Sequence, residues 1–259
     1  MDESGTKHRR KLNDEQVEVL ELLYKFRFGS RDLIARYFGK SNGVFVHKRL
    51  QILVDLGYIG RQYDGSYRLK GKPAAFYLLP AGARALQSSR DPDDTDTVNM
   101  RSVYNNDSRS EAFAAHCMRI FALYNELDAQ YGDDLNFLTK SDLAGQSHFP
   151  DPLPDAFFSV DRAGASHCFF VEVFDDERRF FLPDKKAKLY AEYRANGQWQ
   201  KINRQFPSII FVCSTAGLVE RAKRKTATKP RVSTNMDFVV TADEPAVVAQ
   251  AVAAVLPRS

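Results

Sequence analysis

No apolar run in this sequence approaches the roughly 18 residues that a membrane span needs. Its first stretch, Met1 to Lys11, is polar and basic with nothing apolar behind it, unlike a secretory leader. Cysteine is scarce. Cys117, Cys168 and Cys213 stand far apart in apolar segments, with no CxxC pair, so neither a zinc site nor a disulfide framework is indicated. Buried free thiols in a reducing cytoplasm are the expectation. A GxxxxGK[ST] phosphate loop is missing, which argues against ATPase chemistry. His8, His47, His116, His148 and His167 are scattered, so the closely spaced histidines of a histidine-cluster nicking enzyme are missing too. No internal repeat is visible.

What is present is asymmetric. The chain has 259 residues, 44% of them apolar, enough for two modest domains or one large one. Its net charge of +4 is unevenly spread: residues 1–88 carry 16 Lys+Arg against 9 Asp+Glu, and the remainder carries a net negative charge. A positive excess in one third of a chain suits a phosphate-contacting module. The stretch Ser88 to Asp96 is polar, acidic and nearly free of apolar residues, which reads as a linker. We therefore divide the chain into 1–88, a linker over 89–107, and 108–259.

The first third reads as three helices followed by a hairpin. Asn13 or Asp14 caps a helix with the stripe Val17, Leu20, Leu23, Tyr24. Ser30 caps a short helix over 31–38. A third helix runs to about Leu56, with Val46, Leu50 and Leu53 on one face. Asp64-Gly65 between alternating segments signals a hairpin turn. Phe76 to Leu79 is a further strand, and Pro80 opens a closing helix. This order resembles the winged helix-turn-helix. The resemblance implies that the third helix enters the major groove and the wing touches the backbone. Asn42, Val44, Phe45, Lys48 and Arg49 are then the candidate groove contacts, and Arg61, Arg68, Lys70 and Lys72 the candidate phosphate contacts. An ordinary solvated basic face is the bland alternative.

The remainder reads as a long helix from about Ser108, three strands, a helix over 182–196, a buried strand over 206–212, a basic helix over 218–225 and a last strand near 236–240. That is a mixed sheet with helices on both sides. Two carboxylates stand out. Asp155 follows Pro154 at the start of a strand. Glu172 sits inside the run Phe169 to Phe174, where an unpartnered carboxylate is costly, so it needs a metal ion, a cation or donors. Carboxylates at neighbouring strand ends can share a divalent metal, which would activate water at a scissile phosphate. The alternatives are a turn cap for Asp155 and an ion pair with an arginine such as Arg119 for Glu172. His116 reads as a satisfied core histidine or as support near the metal. The run Arg221 to Lys225 reads as a second phosphate patch or a solvated face.

Pro154-Asp155 with Glu172 resembles the restriction-endonuclease-like superfamily, whose signature is PD-(D/E)xK. The whole chain, from Leu12 to about Val240, resembles the replication-relaxation family and the related MOB-C-type mobilisation relaxases. The fold class expected is α+β in two domains, a winged helix followed by a mixed-sheet, restriction-endonuclease-like domain. The signature departs at Phe174, where the lysine would stand. Some members of the superfamily place that lysine on the next helix. Lys186 is then the first candidate, because it shares a helical face with Leu189, Tyr190 and Tyr193, and Lys188 the second. Asp175 is a candidate third ligand. The resemblance implies a Mg- or Mn-dependent nickase acting on double-stranded DNA at a transfer or replication origin, in company with relaxosome or coupling proteins or as a homodimer. A non-catalytic accessory or a transcriptional regulator is the alternative.

Overall fold

The computed structural model describes residues 12–41, 43–90, 97–175, 181–202, 205–227 and 237–257. The fold is α+β, and the chain divides into two compact units, Met1–Ala114 and Ala115–Ser259. Among the described residues no helix is long and apolar enough to cross a membrane.

The first unit begins with α1 (Asp14–Phe26). Asn13 starts it through a reciprocal cap: its Oδ1 accepts from the Gln16 N–H at 2.9 Å, and Gln16 Oε1 accepts from the Asn13 N–H at 3.1 Å. The two-residue strand β1 (Phe28–Gly29) leads into α2 (Arg31–Tyr37). Ser30, nearly buried, caps α2 by accepting from the Leu33 N–H at 3.2 Å. Losing that bond leaves the Leu33 N–H without its cap acceptor, so Ser30→Ala is expected to cost about 1 kcal/mol. Amide hydrogen exchange in α2 checks it.

Next come α3 (Val44–Asp55), β2 (Ile59–Gln62), α4 (Gly65–Leu69), β3 (Ala75–Leu78), α5 (Pro80–Ser89) and α6 (Met100–Val103). α3 buries Val46, Leu50 and Leu53. The strands form an antiparallel sheet in the order β1-β3-β2. α5 lies so near the chain entering β2 that a Cβ on Gly82 would stand 2.1 Å from the Tyr58 carbonyl oxygen.

The expected Asp-Gly hairpin is not there. Asp64 instead caps a helical turn, its Oδ1 accepting from the N–H groups of Ser66 and Tyr67, and Tyr67 is buried. The partner of β2 is β3, so the connection between them carries α4 at its tip. Asp is as good a helix cap as it is a turn former, and here burial of the Tyr67 ring decides between them. The acidic stretch 91–96 lies outside the described residues. α7 (Glu111–Tyr131) follows, with Ser110 Oγ accepting from the Phe113 N–H in its first turn, two residues beyond the expected Ser108.

The second unit is built on a five-stranded sheet: β4 (Leu135–Thr139), β5 (Ala156–Arg162), β6 (Ala165–Phe174), β7 (Ser208–Cys213) and β8 (Phe238–Ala242), side by side in that order. β4, β5 and β6 are antiparallel, while β6, β7 and β8 are parallel. The sheet is mixed, as the sequence pattern predicts. β5 and β6 meet through the two-residue turn Ala163-Gly164, both at positive φ, the conformation that suits the twist of a hairpin.

One face of the sheet holds an aromatic core in which Phe149, Phe157, Phe170, Tyr190 and Trp199 gather under α8 (Leu182–Ala195) and α9 (Ala216–Ala227). Against the other face α7 lays Tyr124 on Phe137, continuing through Phe158 to Phe169. Each such ring contributes about 1.5–3 kcal/mol by leaving water. A last helix, α10 (Pro245–Val255), was not expected. Proline at its start followed by an Ala/Val-rich run is the signal for it.

Candidate functional site

In the first unit the N-terminal turn of α3 is presented to solvent. Val44 is 73% exposed, Phe45 is 45% exposed, and Lys48 is exposed. The Phe45 ring is flanked by Lys40, whose Nζ lies 5.0 Å from its centroid, and by Arg49, whose Cζ lies 3.8 Å from it. Arg49 is also ion-paired with Glu15 of α1. Asn42 lies outside the described residues. Arg61 on β2 and Arg68, Lys70 and Lys72 on the β2–β3 connection are all exposed, and Lys72 pairs with Glu111. Between them Leu69 is 89% exposed.

In the second unit the β5–β6 register sets the chemistry. Ala156 pairs with Val171, and one step further out Asp155 falls opposite Glu172. The Asp155 N–H donates to the Val171 carbonyl at 3.0 Å, continuing the ladder. Its carboxylate is not a simple turn cap: Oδ2 accepts from the Val173 N–H at 2.9 Å, and Oδ1 lies 3.5 Å from His116 Nε2 and 3.9 Å from Lys140 Nζ.

Glu172 is 2% exposed, on the same face of β6 as Phe170 and Phe174. Its partner is not Arg119. Oε1 takes an ion pair from Lys186 Nζ at 2.7 Å and a hydrogen bond from the fully buried Tyr190 hydroxyl at 2.7 Å. Lys186 and Tyr190 are four residues apart on α8, so one helical face delivers both. Lys188, two residues on, is exposed. Arg119 instead joins Asp175 and Asp243, at 3.2 and 2.5 Å. Asp175, just past β6, also takes His116 Nδ1 at 2.9 Å.

These contacts reshape the titrations. Burial, with the negative charge of Asp155 behind it, pushes Glu172 up to about 7 against the pull of Lys186 and Tyr190. Burial also works against ionisation of Asp155 and Asp175, but hydrogen bonding and charge from His116 outweigh it and hold both below the usual carboxylate range. His116 is disfavoured as a cation by burial, yet its two aspartates raise it to about 10. Burial is the larger cause of the Glu172 shift, and the charge of Asp155 adds to it.

Of the residues that sequence singles out, Asp155, Glu172 and Lys186 are brought together in one cluster. Asp175 joins it through His116. The cluster also contains Lys140 and Asp243, which the sequence does not single out, together with Tyr190, expected only as a core residue, and Arg119, expected as a partner of Glu172 and found on Asp175 and Asp243 instead. Among the described residues no group of three or more His, Cys, Asp and Glu side chains forms a ready metal cage.

The molecule is thus a two-unit α+β chain with an acidic, lysine-bearing cluster at the strand ends of a mixed sheet. A family model described as replication-relaxation matches residues 20–209, and the chain belongs to that family. Membership associates it with plasmid replication and mobilisation, and so with DNA. No curated protein and no solved structure matches the chain.

Proposed function

We propose that this protein is a metal-dependent DNA nickase of the relaxase type, acting at the transfer or replication origin of a plasmid. The observation that carries the reading is the cluster of Asp155, Glu172 and Lys186 on the β5–β6 hairpin and α8. It matches the PD-(D/E)xK donor set with the lysine moved onto the helix.

The donor set fits a hard divalent cation. Mg²⁺ is ordinarily held by one or two protein carboxylates, with waters and phosphate oxygens filling the rest of its shell. Asp155 and Glu172 would hold it. Bound there, a Mg²⁺ or Mn²⁺ ion supplies a water nucleophile and neutralises charge on the scissile phosphate. The residues of the chain do the rest. Asp155 is oriented by the Val173 N–H. The Tyr190 hydroxyl fixes Glu172. Lys186 balances the buried charge of Glu172, and its ammonium would also be placed to stabilise charge developing on a phosphate at this site.

The first unit supplies targeting in this proposal. We take α2, α3 and the β2–β3 connection as a winged helix, with α3 reading the major groove through Val44, Phe45 and Lys48. The exposed cations of the wing meet phosphates. Replacing Arg68 and Lys70 together by alanine is expected to lower the slope of log K against log salt by about 2, because each lost phosphate contact removes roughly 0.9. Fluorescence anisotropy with duplex DNA across a salt series measures this.

The direct test is nicking of a supercoiled plasmid carrying the cognate origin, with Mg²⁺ or Mn²⁺ and with EDTA. Conversion to open circle that requires the metal supports the proposal. Tight DNA binding without nicking at any metal concentration sinks it. One observation favours a second reading, a DNA-binding accessory without catalysis: Glu172 is already satisfied by Lys186 and Tyr190, so the cluster closes without a metal.

A further inference from the structure

Along the strand ends that carry the candidate site runs a chain of charges of which the nickase reading uses only Asp155. Asp155 precedes β5, Asp175 follows β6 and Asp243 follows β8. Two side chains one turn apart on α7, His116 and Arg119, thread them together. The order is Asp243–Arg119 at 2.5 Å, Arg119–Asp175 at 3.2 Å, Asp175–His116 at 2.9 Å and His116–Asp155 at 3.5 Å. His116 is the junction: each ring nitrogen faces a carboxylate oxygen, one belonging to Asp155.

We propose that His116 is a positioning residue that aims the Asp155 carboxylate at the divalent cation, and that Asp175, Arg119 and Asp243 hold His116 in place. The proposal rests on the nickase reading for the identity of the cation site. The carboxylate of Asp155 can turn about its Cβ–Cγ bond. The Val173 N–H pins Oδ2, and His116 Nε2 pins Oδ1 from the side of α7, so the two donors together fix the plane of the group. A lone cation beside a metal ligand would repel the metal. Here Asp175, closer to the ring than Asp155 is, offsets the charge of the imidazole, and Arg119 in turn is shared between Asp175 and Asp243. What reaches Asp155 is mainly a directed N–H. Partners of this kind behind a metal ligand typically change metal affinity about ten- to a hundredfold when removed.

The experiment uses the full chain stripped with EDTA and titrated with Mn²⁺ alone, free Mn²⁺ being read by electron paramagnetic resonance. His116→Ala and Asp175→Asn are compared with the wild type, and nicking is followed over the same Mn²⁺ range. The expected result is Mn²⁺ binding weakened about tenfold or more in His116→Ala and by less in Asp175→Asn. Nicking should recover at saturating Mn²⁺, with DNA affinity unchanged. A purely structural role would instead lower nicking at every Mn²⁺ concentration without moving the midpoint, and that result overturns the proposal. Unchanged or tighter Mn²⁺ binding in both variants overturns it as well; tighter binding would make His116 a competing cation. Where His116→Ala loses the fluorescence of the buried Trp199, Asp175→Asn, which keeps the side-chain volume, carries the test. A wild type that binds Mn²⁺ but does not nick sinks the nickase reading while leaving the role of His116 decided by the binding data. A wild type that binds no Mn²⁺ removes both.

Discussion

Asp155→Ala and Glu172→Gln are each expected to lower nicking of an origin plasmid by about a thousandfold or more while leaving duplex binding within about twofold. The size follows from the chemistry proposed for the site. A bound cation contributes several kcal/mol of charge stabilisation at the phosphate, and each 1.36 kcal/mol is tenfold in rate. Glutamine is the informative replacement at position 172. It keeps the volume and an acceptor for the Tyr190 hydroxyl, and it removes a charge that burial already disfavours. Lost activity in a variant that still unfolds in one cooperative transition by Trp199 fluorescence therefore reports lost chemistry and not lost folding. The DNA-binding arm of the experiment uses anisotropy with the metal withheld. A Glu172→Gln protein that nicks at the wild-type rate would overturn the proposed role of the cluster.

Much of the second unit is written in local pattern. The apolar run Phe206 to Val212 announces a buried strand, and β7 is found over Ser208–Cys213. Glu172 attracts notice because a carboxylate inside the apolar run Phe169 to Phe174 has to be satisfied by something. Helical phase then singles out Lys186 on α8, and its Nζ stands 2.7 Å from Glu172. The partnership of His116 with Asp155 and Asp175 had no local signal. It arises only when α7 lies along strand ends that are adjacent in the sheet and distant in the chain. Arg119 shows the same limit: nothing in the sequence ranks Asp175 and Asp243 above Glu172 as its partners. In the first unit the short range itself misled. Asp64-Gly65 is compatible with a hairpin turn and with a helix cap, and burial of Tyr67, a tertiary fact, selects the cap.

The metal-free protein should lose stability as pH rises from about 5 to about 10, opposite to the gain expected of a chain whose carboxylates are held by salt bridges. Two groups set the sign. Glu172 ionises near 4.5 in the unfolded chain and near 7 in the fold. Between those values the folded state keeps a proton that the unfolded state has lost, so stability falls with pH across that window. His116 ionises near 6.5 when unfolded and near 10 in the fold. Its contribution is whole below 6.5 and is lost as pH climbs through the folded value. Asp243, raised by burial against the pull of Arg119, adds to the same trend from 3.8 upward. Asp155 and Asp175 are lowered and act in the opposite sense, but only below 3.8. At about 1.4 kcal/mol per pH unit, the Glu172 window is worth on the order of 3 kcal/mol and the His116 window on the order of 5 kcal/mol, near the upper end for single groups. Urea unfolding read by Trp199, the chain's single tryptophan and part of the second unit's core, isolates this unit from the first. Glu172→Gln should flatten the curve between pH 4.5 and 7 and leave the alkaline limb in place. His116→Gln should flatten the curve between pH 6.5 and 10 and leave the acidic limb. A wild-type curve that rises across both windows would mean that the buried carboxylate and the imidazole are not held by the contacts described, and the cluster would have to be rebuilt from other partners.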